Sequence, residues 1–329
     1  MKSVLLGIAC GATILFPLAG ATLRPVKTEG GLLAGVPSTD GSVVAYKGVA
    51  FAAPPVGNLR WRAPKPAGAW QGVRQASQFS ASCIQTIVEE RKPWTYEFMT
   101  HTPVSEDCHY LNVWTGAENA NERRSVFFWM YGGGYTEGSA AVPVYDGEAL
   151  ARRGLVVVRI NYRLGLFGFL AHPELSKEFD RNASGNYGTL DQIAALHWVQ
   201  KNIAAFGGDP NRVTIAGQAA GAGSVHSLTA SPLAKGLFER AIAESGSSVV
   251  PNNRMPRLAQ AEELGAKFAA SKGARDIAAL RRNVLAGLGG RDANRKYIKL
   301  PPHGGWLGSS GQGGNIWVRL LWNDDPGRV

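Results

Sequence analysis

The sequence predicts an α/β protein with a mostly parallel central sheet flanked by helices, and three stretches carry that prediction. SVFFWMY (125–131) and GLVVVRINY (154–162) are near-continuous apolar runs rich in β-branched and aromatic residues. That is the pattern of central strands covered on both faces. Residues 188–206 place Leu190, Ile193, Ala194, Leu196, Trp198, Val199 and Ile203 at helical spacing, with Asp191 near the start and Gly207-Gly208 as a stop. A short strand, VTIAGQ (213–218), follows at once. Strand, helix and strand in alternation imply parallel pairing, and ligands of such sheets sit at the carboxyl ends of the strands.

In chain order, Lys2 precedes an apolar run from Val4 to Leu18 and a small-x-small site at Ala19-Gly20-Ala21. This reads as a cleavable signal peptide over 1–21, with a retained membrane anchor as the alternative; Pro17 interrupts the run near its end. Cys10 falls within the signal's apolar core, and Gly7 stands where a lipoprotein signal would carry a leucine-like residue. Removal of the signal leaves Cys83 and Cys108, an even pair that reads as one disulfide in an exported protein, two buried free thiols being the alternative. Residues 30–55 alternate apolar and turn-forming residues, which predicts an antiparallel opening sheet. Residues 146–153 form a helix candidate between the two apolar strands. With 45% apolar residues, 41 glycines and 18 prolines, residues 22–286 suit one large α/β domain. From 287 to 329 the chain is glycine-rich without sustained periodicity, the pattern of a divergent or frameshifted tail.

Composition also excludes function classes. The formal charge of +10 is scattered, with doublets at Arg123-Arg124, Arg152-Arg153 and Arg281-Arg282 but no basic stripe interleaved with stacking aromatics, so no nucleic-acid partner is expected. No metal-ligand spacing, phosphate loop or nicotinamide fingerprint is present, so no cofactor and no metal are expected. Asn182-Ala183-Ser184 is a glycosylation sequon, meaningful in a host that glycosylates exported proteins.

The chemistry concentrates at GQAAG (217–221). A strand leads in and a small-residue helix leads out, the setting of a G-x-S-x-G nucleophile elbow, but Ala219 stands where the attacking serine belongs. Ser224, five residues on, falls inside the presumptive helix, where a serine is packed or bonded to the backbone rather than nucleophilic. Gly132, Gly133 and Gly134 follow a buried strand and let backbone N–H groups approach a carbonyl closely; a plain glycine turn is the alternative.

KGVAFAAPPVGNLRWRAP (47–64), SEDCHYLNVW (105–114), YGGGYTEG (131–138), NYRLGLFGFL (161–170), GNYGTLDQ (185–192), FGGDPNRVTIAGQAAG (206–221) and GLFERAIAESG (236–246) together resemble the type-B carboxylesterase and cholinesterase-like family, over about 26–285. The resemblance implies an α/β-hydrolase fold whose C-terminal part is missing here, and carboxylic ester hydrolysis through an acyl-enzyme. It also implies oxyanion donors at Gly133, Gly134 and the N–H of Ala220, and a disulfide between Cys83 and Cys108. The family's acid lies in a strand ending N-x-D-E-G. Here WVRLLWNDDPG (317–327) puts Pro326 in its place, with Asp325 adjacent; an acidic turn before the proline is the alternative reading.

The family's base is a histidine well beyond the acid, and no histidine follows His303, so no base is assigned. His109 replaces the apolar residue usual in the EDC motif. Like His197 and His226 it reads as structural or exposed, and His101, His172 and His303 have no supporting motif. Trp94, Tyr96, Phe98, Tyr135 and Tyr145 read equally as pocket lining or as core and rim. The expectation is a secreted or periplasmic member with a small-molecule carboxylic ester as its partner, no membrane contact after signal removal and no assigned oligomeric state. It is expected to be inactive for want of a nucleophile and a base. The alternatives are a noncatalytic binding or adhesion protein of the same fold, or a nonfunctional fragment.

Overall fold

The computed structural model describes residues 25–87, 92–247 and 256–287. The predicted signal peptide, His303 and Asp325 lie outside the described residues. Seven strands form the main sheet among these residues: β1 (Val36–Pro37), β2 (Val44–Ala50), β3 (Tyr110–Thr115), β4 (Arg124–Met130), β5 (Val156–Ile160), β6 (Gly208–Gln218) and β7 (Arg240–Glu244), in the spatial order β7-β6-β4-β5-β3-β2-β1. The half containing β7, β6, β4 and β5 is parallel throughout. From β5 outward through β3 and β2 to β1 the pairing is antiparallel, in line with the alternating pattern of the opening segment.

Parallel neighbours need crossovers, and helices supply them. The helix α1 (Glu148–Arg152) lies between β4 and β5, and its first turn is tied by the Glu148 N–H to Asp146 Oδ1 at 2.9 Å. Two short helices, α2 (Gly165–Phe169) and α3 (Pro173–Glu178), precede α4 (Tyr187–Asn202), which links β5 to β6. The helix predicted over 188–206 is therefore α4 continued by a 3-10 turn at Ile203–Phe206, and it stops where Gly207 takes the left-handed φ of 78°. The helix α5 (Ala220–Ala230) links β6 to β7, and α6 (Leu258–Ser271) and α7 (Ile277–Gly287) close the described chain.

The core follows from the two apolar runs. Val126, Phe128 and Met130 of β4 and Val156, Val158 and Ile160 of β5 are each at most 1% exposed, packed with Val213, Ile215, Leu196 and Val199. A second cluster joins Trp61, Phe167, Leu170 and Leu175 to Phe268, Ile277 and Leu280, which anchors α6 and α7. Cys83 and Cys108 are both buried and disulfide-bonded to each other. No described helix is long and apolar enough to cross a membrane.

Strand β6 starts earlier than the apolar pattern suggests, because Gly208 pairs with Arg124 before the register shifts and resumes at Val213. The polar GDPNR stretch hides this start. At the other end β6 runs to Gln218, so GQAAG spans the carboxyl end of a central strand and the first turn of α5.

Candidate active site

The two outer glycines of GQAAG are steric requirements. A Cβ on Gly217 would lie 2.5 Å from the Gly221 backbone, and one on Gly221 would press into the carbonyl oxygens of Met130 and Tyr131, the latter at 2.9 Å. Without those side chains α5 starts directly over the end of β4. Between them Ala219 takes φ 52° and ψ −113°. For a residue with a Cβ this is a sparsely populated conformation, costing on the order of 1–3 kcal/mol, and it persists only where the surroundings over-determine it.

The surroundings here are backbone. The Ala219 N–H donates to the Glu244 carbonyl at 2.9 Å, and the Ala219 carbonyl accepts from the Gly223 N–H at 3.0 Å. Gly246 seals the other side, since a Cβ there would press into the Ala219 carbonyl and lie 3.0 Å from its Cα. None of these constraints uses the side chain at 219. The elbow is built in full, and a methyl group occupies its apex.

Facing it, Gly132 is so close that its own Cβ would sit 3.2 Å from the Ala219 Cβ. Gly133, Gly134 and Tyr135 then follow with φ of 98°, 62° and 60°. Thr136 and Glu137 close this turn by donating their N–H groups to the Gly133 carbonyl at 3.1 and 3.2 Å. The N–H groups of Gly133 and Gly134 themselves donate to no backbone carbonyl among the described residues. Ala220 opens α5, so its N–H has no acceptor within the helix. The predicted donors Gly133, Gly134 and Ala220 thus lie on two segments that meet at Ala219, with N–H groups not consumed by the fold.

Ser224 is packed away, 1% exposed. Its hydroxyl accepts from Gln192 Nε2 at 2.9 Å and donates to the Tyr135 hydroxyl at 3.3 Å, so side chains rather than the backbone hold it. Burial pushes the Tyr135 hydroxyl well above the usual tyrosine range. Its ring packs edge-on against Phe169, 5.2 Å between centroids, which makes it core. Tyr145 is half-buried on Trp129, whereas Trp94, Tyr96 and Phe98 are exposed.

The histidines divide by environment. His109 is buried, with Nδ1 2.9 Å from the Ala53 carbonyl and Nε2 3.1 Å from Asp191 Oδ1. Asp191 in turn accepts from Arg163 Nε at 2.8 Å and Nη2 at 2.6 Å, and from the Arg163 backbone N–H at 2.9 Å. Burial pushes the Asp191 carboxyl up, but Arg163 and His109 outweigh it and hold the group at about 2. The acid that reads as a helix-start signal is therefore the centre of a buried ion cluster, which sequence reasoning missed. His172 caps α3 by accepting the Glu174 N–H, exposed His101 stacks on Tyr96, His197 is exposed on α4, and His226 is half-buried on α5.

Gly246 and the Glu244 carbonyl are also elbow components that sequence reasoning missed; the signal available was their place in the ESG triplet after a strand-like run. A cavity of about 980 Å³, lined by Arg181, Leu228, Ser231, Lys235 and Phe238 among others, opens at the far end of α5. The eleven residues of that helix, about 16 Å, separate it from Ala219. Among the described residues no three His, Cys, Asp or Glu side chains converge to hold a metal ion.

The model of the Carboxylesterase family matches residues 23–286. The chain is 46% identical over 275 residues to a fumonisin B1 esterase of Sphingopyxis macrogoltabida, covering 83% of this chain and 48% of that one. It is 43% identical over 231 residues to a mouse (Mus musculus) cholinesterase, covering 69% of this chain and 37% of the relative. Among solved structures it superposes on the carboxylesterase EST55 of Geobacillus stearothermophilus with a TM-score of 0.67 at 39% identity, covering 80% of this chain and 50% of that one. The chain therefore spans about half the length of these relatives, or less.

Proposed function

The chain belongs to the carboxylesterase family and has its α/β-hydrolase fold, and from that premise we propose that it binds carboxylic esters without completing the family's acyl transfer. Ester hydrolysis through an acyl-enzyme needs a nucleophile and donors aimed at the developing oxyanion. The donor half is supported by Gly133, Gly134 and Ala220, whose N–H groups flank the elbow. The nucleophile half is missing, since Ala219 holds the elbow backbone and presents only a methyl group. That one observation carries the proposal.

Loss of a triad nucleophile costs about a million-fold in turnover, and the residual rate comes from binding and the oxyanion hole. The setting we infer is secreted or periplasmic, supported by the apolar N-terminal run and by the Cys83–Cys108 disulfide, a bond that persists in oxidising compartments.

The test is hydrolysis of p-nitrophenyl acetate by the purified chain, with mass spectrometry after exposure to a serine-directed phosphonate. The expected result is no nitrophenol burst and no mass increase. A burst abolished by the phosphonate would overturn the proposal, because it would require a serine nucleophile that Ala219 cannot supply.

A further inference from the structure

The helices α6 and α7 are joined to the rest of the molecule through a narrow seam. Their apolar residues Phe268, Ile277 and Leu280 belong to the second cluster, apart from the core of the main sheet. Their polar ties converge on the short helix α3. A Cβ on Gly265 of α6 would press into the Ala171 carbonyl, so the two backbones touch just before α3 begins. The Glu174 carboxylate accepts the Ile277 N–H that opens α7 at 3.0 Å, and the Glu178 carboxylate accepts two N–H groups of Arg281 at 2.7 Å. The Ser176 hydroxyl donates to Glu262 of α6 at 2.5 Å and lies 2.7 Å from the Ser184 hydroxyl.

His172 sits in the middle of this seam. Pro173 has no N–H, so Glu174 carries the first free donor of α3, and the His172 ring accepts it through Nδ1 at 3.2 Å. A ring nitrogen accepts only while it is unprotonated. Proton uptake turns Nδ1 into a donor that faces another N–H, and the cap is lost. The charged groups that act on the ring are Glu174 of its own helix and Glu262 of α6, while the loop before α4 offers it the Ser184 hydroxyl. Both carboxylates attract an imidazolium, and they are the same two that hold Ile277 and Ser176. Burial nevertheless keeps the ring below the ordinary histidine value of 6.5, outweighing Glu174 and Glu262. The unprotonated ring therefore stabilises the fold, a contribution present above pH 6.5 and lost as the pH falls through the folded value.

We propose that His172 is an acid-triggered latch: protonation of its ring breaks the cap of α3, draws Glu174 and Glu262 from Ile277 and Ser176, and loosens α6 and α7 while the main sheet stays closed. The trigger is a single proton at Nδ1. The two helices respond because α3 carries the polar ties to both.

Hydrogen exchange of the full chain, followed by mass spectrometry at about pH 7.5 and about pH 5 and corrected for intrinsic exchange, tests this. Peptides from α6 and α7 are expected to lose about fivefold in protection at the lower pH, the usual worth of an N-cap, while β4 and β5 keep theirs. His172→Asn supplies a cap that accepts the same N–H without titrating, and it is expected to stay protected at both pH values. His172→Ala is expected to be loose at both; the wild type and His172→Asn decide the matter even where that variant does not fold. Equal protection of α6 and α7 in the wild type at the two pH values overturns the proposal. A loss of the same size in β4 and β5 also overturns it, because the response would then belong to the whole fold. So does a His172→Asn variant that still loosens in acid, which would assign the response to the carboxylates.

Discussion

The elbow at Ala219 and the ion cluster at Asp191 are both built around a buried segment, yet they are held in opposite ways. At the elbow the constraints are backbone hydrogen bonds and the absence of side chains at Gly217, Gly221 and Gly246. At the cluster they are side-chain charges: Asp191 is fully enclosed and accepts from Arg163, with His109 beside it. A site fixed by backbone tolerates loss of its central side chain, whereas a site fixed by charge does not. This is why the elbow geometry is complete around an alanine.

The largest expected effect is therefore at Asp191. Asp191→Asn would leave the Arg163 guanidinium, 3% exposed, without its carboxylate. Breaking a buried pair from one side typically costs about 3–5 kcal/mol. Urea denaturation at neutral pH checks this, and a loss under about 1 kcal/mol would break the contrast between the two sites.

Acid sharpens the same contrast. The Asp191 carboxyl is held at about 2 against a usual 3.8, so its contribution is complete above pH 4 and lost as pH falls through the folded value. A shift of this size corresponds to about 2 kcal/mol of stability lost between roughly pH 4 and pH 2. The expected signature is that Asp191→Asn flattens this part of the stability profile, whereas Ala219 variants leave it intact.

How legible these sites are in the sequence follows from the range of their contacts. The elbow is local: a strand, a glycine-bounded pentapeptide and a helix lie within a few residues, so GQAAG and the alanine at its centre are readable at sight. The long helix is equally plain, because its apolar spacing and its Gly207 stop are local too. The cluster is not, since Asp191 finds Arg163 28 residues away and His109 on a third element. An isolated acid in an amphipathic helix carries no mark of such partners. Ser224 is half legible for the same reason: burial is implied by its small-residue helix, but Gln192 and Tyr135 as partners are not. Gly246 escaped because its neighbour is the Ala219 carbonyl in the turn after β6, which only the β6–β7 register reveals.

Within the elbow the steric requirement is the next test. Gly221→Ala places a Cβ against two backbone carbonyls of the β4 end, neither of which can move without shifting the central sheet. Overpacking of this kind costs about 1–3 kcal/mol, measurable as a lower urea midpoint at unchanged slope. Full stability would mean that the glycine-bounded geometry is not what holds the turn. Ala219→Gly should act in the other direction, because glycine visits φ of 52° freely. A gain of up to about 1 kcal/mol is expected, part of it offset by the greater freedom of glycine in the unfolded chain.

The smallest effect is the most discriminating. If the elbow is set by backbone alone, Ala219→Ser inherits the same φ and ψ and the same Glu244 and Gly223 hydrogen bonds, and adds only a hydroxyl at the apex. Stability should change by less than about 0.5 kcal/mol, the scatter of substitutions that disturb neither core nor cap. A larger loss would show that the site has closed around the methyl group. The distance across that gap is short, because Gly132 already packs where its Cβ would lie 3.2 Å from the Ala219 Cβ. Thermal unfolding of the two forms side by side therefore separates an elbow that still has room for a nucleophile from one whose glycine wall has settled onto alanine.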